Sequence, residues 1–250
     1  LSRANELDLR RFQFRLDDNP ALDPVYVENL KREYTGLWYK RFILGEWCIA
    51  EGAVYDMFDT ARHVVTKLPP IRHFWVAVDY GTTNPFAALL AGEGVDDRLY
   101  IVDEWLWDSR ARGRQLTDAE YSRELQKWLG SHTTHLRWIY VDPSAASFIV
   151  QLRRDKVRGI APADNEVLDG IRNVASLLAT DRLRIHARCT GLIEELQGYA
   201  WDPKAQERGE DRPIKQNDHM VDALRYLVNG TQSTWKRWLR QMPGQRQEAA

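Results

Sequence analysis

The feature that most constrains the fold is a pair of apolar runs, rich in β-branched and aromatic residues, that each end in an aspartate. Phe74-Trp-Val-Ala-Val-Asp79 is one, and Leu136-Arg-Trp-Ile-Tyr-Val-Asp142 is the other. Runs of this composition are typical of buried strands. A carboxylate placed where a buried strand meets the surface is costly unless something compensates it, and a divalent cation does so efficiently. Asp79 and Asp142 are therefore candidate functional residues.

A third acid, Asp222, lies on an amphipathic helix predicted over residues 218–229. Asp218 and His219 precede it by four and three residues, so the three side chains can share one helix face. Asp79 would end the central strand of a sheet, where its carboxylate could bridge two cations. Three such acids in one fold suggest a two-ion magnesium or manganese site for phosphodiester hydrolysis.

Each of these residues also has a purely structural interpretation. A strand-end aspartate such as Asp79 is often a turn former. Asp142 could cap a helix predicted at 145–154, and Asp218 is expected to cap the helix that follows it. His219 taken alone is more often structural than a ligand. The functional hypothesis therefore depends on all three acids meeting in the folded chain.

The regions around the acids predict a mixed α/β fold. Strands at 74–80, 86–91 and 98–106, joined by short turns, favour an antiparallel meander. Helices and strands then alternate, with helices predicted at about 115–130, 145–154, 164–180, 189–198 and 218–229 and strands at 136–142, 157–161 and 183–185. Asp164 is the expected N-cap of its helix. Three antiparallel strands followed by parallel strands, with helices on both faces of the sheet, resemble the ribonuclease H-like fold.

The predicted sheet belongs to the middle of the chain, residues 61–232. Residues 1–60 form an extension of uncertain structure. Residues 201–216 are expected to be an exposed loop or hairpin, and 233–250 a basic, flexible tail. Because the chain opens with Leu1 in a polar, helix-like stretch, we expect it to be part of a longer polypeptide.

Composition limits the possible functions. With 250 residues, 44% of them hydrophobic, the chain can bury one substantial core. The net charge is −1, from 35 basic and 36 acidic residues, so nucleic-acid binding would depend on local basic clusters. No apolar run reaches transmembrane length and no signal peptide opens the chain, which argues against a membrane partner. Cys48 and Cys189 lack metal-ligand spacing, which favours a reduced, intracellular protein. The candidate DNA contacts are Lys215, Arg153, Arg154 and Arg184.

Several segments resemble the C-terminal nuclease domain of terminase large subunits from tailed bacteriophages. The segments are Val78-Asp-Tyr-Gly-Thr-Thr-Asn-Pro-Phe86, Tyr140-Val-Asp-Pro-Ser144, Asp169-Gly-Ile-Arg172, Leu196-Gln-Gly-Tyr-Ala-Trp201 and Asn217-Asp-His-Met-Val-Asp-Ala-Leu-Arg-Tyr226. Leu44-Gly-Glu-Trp47 with Glu51-Gly-Ala-Val-Tyr55 resembles the segment that joins the family's ATPase domain to its nuclease. The resemblance covers about residues 15–230. The family's ATPase motifs are absent from this chain, which has no Gly-x-x-x-x-Gly-Lys-Ser/Thr.

This resemblance implies a ribonuclease H-like, metal-dependent endonuclease that cuts concatemeric double-stranded viral DNA during genome packaging, with little sequence specificity. It implies Mg²⁺ or Mn²⁺ as cofactor, held by the catalytic Asp79, Asp142 and Asp222, with His219 near the metals as in some members. Asp218 is a further candidate ligand. The implied partners are double-stranded DNA, the terminase small subunit, the portal and an ATPase domain of the same polypeptide. The implied location is the cytoplasm of the infected bacterial host.

Glu104 is an ambiguous fourth acid and a further candidate metal ligand. Asp103 and Glu104 point to opposite faces of a strand, so one of them can face the site. Alternatively, one is solvated and the other pairs with an arginine or lysine.

Two other functions of the chain also stay open. The chain could be another ribonuclease H-like nuclease, such as a junction resolvase or an RNA–DNA hybrid cutter. It could also be a non-catalytic DNA-binding or motor-docking module.

Overall fold

The computed structural model describes residues 12–81 and 84–240, and its centre is one seven-stranded mixed sheet. The strands are β1 (Val64–Val65), β2 (Ile71–Asp79), β3 (Phe86–Gly94), β4 (Leu99–Trp107), β5 (Leu136–Val141), β6 (Ile160–Pro162) and β7 (Leu183–His186). Their spatial order is β1-β7-β4-β3-β2-β5-β6. Strands β2, β3 and β4 form an antiparallel meander, and the other four pairings are parallel. The predicted mixed sheet is confirmed.

Helices cover both faces of the sheet. They are α1 (Pro24–Glu33), α2 (Gly36–Phe42), α3 (Thr60–His63), α4 (Asp118–Leu129), α5 (Ala146–Arg154), α6 (Val167–Ala179), α7 (Thr190–Gly198), α8 (Pro203–Gln206), α9 (His219–Gly230) and α10 (Gln232–Arg240), with short 3₁₀ helices at Leu16–Asp18 and Gly130–His135. Trp75 and Ala77 of β2 face a core shared with α6, α7 and α9, whereas Val76 and Val78 face a second core with α4 and α5. None of the helices in the described ranges is long and apolar enough to span a membrane.

The alternation along β2 decides where its terminal acid points. Successive side chains of a strand face opposite sides, so Asp79 shares the face of Trp75 and Ala77, which α9 covers. Strand β5 pairs in parallel with β2, and the amide of Asp142 donates to the carbonyl of Val78 at 3.2 Å. Asp79 and Asp142 therefore follow neighbouring parallel strands at the same edge of the sheet.

Strand β6 and helix α6 begin later than the sequence predicts. The amide of Val157 donates to Leu152 O at 3.0 Å and so closes the end of α5, and strand β6 begins only after this turn. Helix α6 begins at residue 167, with Glu166 in the N-cap position. Asp164 does not cap it, because its carboxylate accepts the amide of Glu166 at 3.2 Å in a preceding turn. Short side-chain-to-backbone turns of this kind compete locally with capping.

The segments outside the predicted sheet region pack against the core. Trp38 of α2 is buried in the core that α9 also lines. Residues 233–240, which the sequence places in a flexible tail, belong to α10, because Trp235 and Trp238 lie one turn apart and bury together on the core. The remainder of that predicted tail, 241–250, lies outside the described residues.

The loop at 201–216 is anchored more firmly than its turn-rich sequence predicts. It contains α8, whose Ala205 is fully buried, and Trp201 and Pro213 form an isolated antiparallel bridge. Asp211 forms an ion pair with Arg41 of α2. The loop is therefore tied to the N-terminal part of the chain just before it enters α9.

Candidate active site

The site is built around Asp79, the last residue of β2, which is 9% exposed. His219 is the first residue of α9, and its Nδ1 lies 2.9 Å from Asp79 Oδ2. This contact raises the pKa of His219, because the nearby carboxylate favours the charged imidazolium. Burial raises the pKa of the Asp79 carboxyl even though the hydrogen bond from His219 opposes the shift. The Asp79–His219 pair therefore contains a carboxylate whose negative charge is poorly stabilised by solvent.

Asp142 follows β5 directly and is only partly buried. Its Oδ2 accepts a hydrogen bond from the hydroxyl of Tyr226 on α9 at 3.2 Å. Its Oδ1 accepts the amide of Ser144 at 2.8 Å. The prediction that Asp142 caps α5 is wrong, because Ala145 is the N-cap residue and Oδ1 of Asp142 orders only the turn that precedes the helix. The other oxygen faces the helix that carries the third acid.

Asp222 lies between two cationic side chains. Arg225, one turn further along α9, donates from Nη2 to Asp222 Oδ1 at 2.5 Å and is 1% exposed. Lys215 donates from Nζ to Asp222 Oδ2 at 3.1 Å and lies 3.3 Å from Asp218 Oδ2, with 57% of its side chain exposed. A buried guanidinium therefore holds Asp222 from the core side, and an exposed ammonium faces it from the solvent side.

The N-terminus of α9 is held by an acid that sequence reasoning missed. Glu195 of α7 accepts the amides of Met220 and Val221, at 2.8 and 3.0 Å, through the single atom Oε2. Asp218 occupies the N-cap position, but its side chain accepts no capping hydrogen bond. Burial raises the pKa of Glu195 to about 7, against the effect of these two hydrogen bonds. No local pattern could have identified Glu195, because its partners lie 25 and 26 residues away.

These side chains converge on one cavity of about 400 Å³, named here the acid cavity. Its lining includes the carboxylates of four aspartates together with one imidazole, one ammonium and one phenol, from Asp79, Asp142, Asp218, Asp222, His219, Lys215 and Tyr226. Three elements that are far apart in sequence, β2, β5 and α9, therefore bring the three predicted acids together.

The comparison with protein families agrees with this geometry. Residues 76–230, more than half of the chain, match the model of the terminase RNaseH-like domain. The chain belongs to this family. As a terminase nuclease-family member, it is 28% identical over 224 residues to the terminase large subunit of Escherichia phage T5, covering 84% of this chain and 49% of that protein. The chain thus spans about half the length of this curated relative.

Solved structures of terminases share the fold. The large terminase of the thermophilic bacteriophage D6E in complex with ADP is 43% identical with a TM-score of 0.81, covering 91% of this chain and 57% of that one. The nuclease domain of the bacteriophage SPP1 large terminase with bound Mn is 14% identical with a TM-score of 0.51, covering 72% of this chain and 97% of that one. The ribonuclease H-like fold of this terminase-family chain is therefore confirmed.

Glu104 does not line the acid cavity of this terminase-family chain. Its two carboxylate oxygens accept the amides of Gly191 and Leu192, at 2.7 and 2.9 Å, at the start of α7. Burial raises the pKa of Glu104, although both hydrogen bonds oppose the shift. The carboxylate of Glu104 therefore binds the N-terminus of α7. Among the described residues, it is neither a ligand in the acid cavity nor paired with an arginine or lysine, which were the two alternatives from the sequence.

The predicted DNA contacts lie in different places. Lys215 lines the acid cavity. Arg153 and Arg154 are exposed in the last turn of α5, roughly 10 Å of helix away from the turn after Asp142. Arg184 is in register with Tyr100 at the other end of the sheet. Only Lys215 is therefore brought next to the acids.

The donor set of the acid cavity fits a hard divalent cation in kind. Carboxylate oxygens with an imidazole nitrogen suit Mg²⁺ or Mn²⁺. Within residues 12–81 and 84–240, however, no three or more His, Cys, Asp or Glu side chains are already gathered to hold a metal ion. Lys215, Arg225 and Tyr226 engage the oxygens instead. Ion binding would require side-chain rearrangement, and Lys215 is the exposed group that can move most easily.

Proposed function

We propose that this chain is the nuclease part of a terminase large subunit and cuts concatemeric double-stranded viral DNA during genome packaging. The observation that carries this proposal is the convergence of Asp79, Asp142 and Asp222 on one cavity in a chain of the terminase family. Bound Mn in the SPP1 nuclease domain supports metal dependence. The carboxylates, which are in excess over their cationic partners, support it independently.

Asp79, Asp142 and Asp222 would hold the metal, with His219 and Asp218 as further candidate ligands. Two Mg²⁺ or Mn²⁺ ions bound there would act as Lewis acids and lower the pKa of a bound water for in-line phosphodiester hydrolysis. Tyr226 orients Asp142, and Arg225 orients Asp222 from the buried side. Glu195 sets the start of α9 and thus the position of His219. Preorganisation of this kind lowers the cost of reaching the reactive geometry.

Lys215 is the proposed DNA contact nearest to the acids. Its exposed ammonium lines the acid cavity, where it can donate to a DNA phosphate. Arg153, Arg154 and Arg184 are proposed contacts for parts of the duplex farther from the cut. Contacts to phosphates read no bases, so cleavage should show little sequence preference and strong salt dependence. In this proposal the partners are the small subunit, the portal and an ATPase domain of the same polypeptide, in the cytoplasm of the infected bacterium.

Cleavage of supercoiled plasmid tests the proposal. The protein should nick and linearise the plasmid with Mg²⁺ or Mn²⁺ and should be inactive with EDTA. The isosteric Asp79→Asn variant should be inactive while its melting temperature shows that it is folded. Preferred cleavage of an RNA–DNA hybrid or a four-way junction would favour the other ribonuclease H-like activities. If the protein binds duplex DNA but cleaves none of these substrates in the presence of metal, the result would favour a non-catalytic module.

A further inference from the structure

A short loop after β4 lies at the same edge of the sheet as the acids. Residues 108–114 have the sequence Asp-Ser-Arg-Ala-Arg-Gly-Arg and are named here the arginine loop. Leu106 of β4 is in register with Ala87 of β3, which is in register with Asp79. Neighbouring strands are about 4.8 Å apart, so β4 ends roughly 10 Å to the side of Asp79. The arginine loop is thus adjacent to the acid cavity.

A groove of about 430 Å³ joins the arginine loop to the acid cavity. Leu106 and Asp108 line the groove beside the loop. Gln216, Asn217 and His219 line both the groove and the acid cavity, so the two share a wall. A DNA strand that leaves the acid cavity across this wall arrives at the arginine loop.

The arginine loop is ordered by its own hydrogen bonds. Asp108 Oδ1 accepts the amides of Arg110 and Ala111, at 2.9 and 3.1 Å. The indole nitrogen of Trp107 donates to the carbonyl of Arg114 at 3.0 Å. A loop that is ordered before binding loses little conformational entropy when a ligand arrives.

Two of the three arginines in this loop are available to a ligand. Arg114 is not, because it pairs with Glu120 of α4. Arg110 and Arg112 are exposed, and neither pairs with an acid in the part of the chain that the structure describes. The guanidinium of Arg112 lies 4.5 Å from the ring centroid of Trp107. A cation–π contact of this kind uses no N–H donor in a hydrogen bond, so the N–H groups of Arg112 can still donate to a phosphate.

Acidic groups in the groove restrict where a phosphate can lie. Glu194 and Glu195 of α7 line the groove together with Asp108. Asp108 is directed at backbone amides, but its charge still repels an anion. A phosphate is therefore disfavoured inside the groove and favoured beside the exposed Arg110 and Arg112.

We infer that Arg110 and Arg112 bind phosphates of the DNA strand that leaves the acid cavity. This inference rests on the proposed function and adds to it a backbone-binding site on the side of His219 away from Asp142. The ligand is a sequence-independent phosphodiester backbone, because guanidinium groups on an exposed loop recognise charge and geometry and read no base.

Affinity for a short labelled duplex, measured with Ca²⁺ in place of Mg²⁺, tests the site. The double variant Arg110→Gln/Arg112→Gln should bind about tenfold or more weakly at low salt. Loss of two phosphate contacts should reduce the slope of log affinity against log salt by about 1.8 between roughly 50 and 200 mM salt. Arg110→Lys/Arg112→Lys should restore most of the slope, since the slope reports charge. The melting temperature and its increase with Mn²⁺ should equal those of the unmodified protein.

Matched variants separate this site from a general effect of charge. Arg114→Gln removes one charge from the same loop, and Arg123→Gln/Lys127→Gln removes two exposed charges from α4 that pair with Glu124; both should change the slope less than the double variant does. An unchanged slope for Arg110→Gln/Arg112→Gln, or an equal change in Arg123→Gln/Lys127→Gln, overturns the inference while plasmid cleavage by the unmodified protein upholds the proposed function. If the unmodified protein neither binds nor cleaves duplex DNA, the proposed function fails and the inference fails with it.

Discussion

The two ends of the sheet neutralise their acids in opposite ways. At one end, four aspartates line the acid cavity with Lys215 and the imidazole of His219, and Arg225 pairs with Asp222 from the buried side. At the other end, Asp181 meets three guanidinium groups, which belong to Arg62, Arg98 and Arg184. We call the second group the Asp181 cluster.

The pKa values follow this difference. Ion pairs with Arg62 and Arg184 lower the pKa of Asp181, although its partial burial opposes the shift. Burial raises the pKa of Asp79, although His219 opposes that shift. The Asp181 cluster is therefore electrostatically complete without a ligand. The acid cavity has fewer cationic groups than carboxylates, and a cation that enters it would relieve repulsion among the carboxylates.

The largest contrast should appear in cleavage. Asp79→Asn should reduce plasmid cleavage by about 10³-fold or more, because several kcal/mol of metal-dependent stabilisation correspond to about three decades in rate. Asp181→Asn changes an acid of the same size and should leave the cleavage rate nearly unchanged. Gel assays under single-turnover conditions measure both variants.

Adding Asp142→Asn to Asp79→Asn should cause little further loss, since residues that act as one unit lose function together. A folded Asp79→Asn protein that cleaves at the normal rate would remove this residue from the reaction. Equal losses in the Asp79 and Asp181 variants would mean that the activity follows overall stability and not the acid cavity.

The next effect should be on stability. Arg225→Met leaves the buried side of Asp222 without its cation and should lower the free energy of unfolding by about 3 kcal/mol. Arg62→Met removes a guanidinium that is 48% exposed and should cost at most about 1 kcal/mol. Urea denaturation of each variant gives the comparison. Similar costs for the two substitutions would contradict the view that Arg225 is a buried support of the site.

Metal binding should stabilise the protein through the acid cavity and not through the Asp181 cluster. Mn²⁺ at about 100 times its dissociation constant should add about 2.7 kcal/mol of stability by binding the native state alone. The corresponding increase in melting temperature should be largely lost in Asp79→Asn and preserved in Asp181→Asn. A thermal shift that survives in Asp79→Asn would place the ion elsewhere on the protein.

The smallest effect concerns Glu195 and depends on pH. The folded-state pKa of Glu195 is raised to about 7 from an ordinary value of 4.5, so the folded protein keeps a proton that the unfolded chain loses between these values. The stability of the unmodified protein should therefore fall, relative to Glu195→Gln, as the pH rises from about 5 to 8. Melting temperatures of the metal-free proteins at both pH values measure this difference.

Glu195→Ala provides the matched comparison at this position. Because both amides donate to one oxygen, glutamine can keep the two hydrogen bonds, whereas alanine loses both and should be less stable than Glu195→Gln by about 1–2 kcal/mol at every pH. Cleavage should be reduced more by Glu195→Ala than by Glu195→Gln, since only the alanine variant frees the start of α9. Equal cleavage by the two variants would show that His219 does not depend on this support.

Local sequence determined the elements that carry the acids. The apolar runs before Asp79 and Asp142 commit both segments to buried strands, and the spacing around Asp222 commits its segment to a helix, because burial of an apolar face is encoded residue by residue. The antiparallel meander followed from short turns between strands. These features depend on neighbours within a few residues.

Tertiary structure alone decided which groups surround each acid. Glu195 accepts an amide of α9 that is 25 residues away in the chain, and Glu104 accepts an amide of α7 that is 87 residues away. Arg62 pairs with Asp181 across 119 residues. Such partners are chosen by packing, and no periodicity in a single segment records them. The same reason explains why the order of α10 was missed, since Trp235 and Trp238 are stable as a helix face only against a core assembled from the rest of the chain.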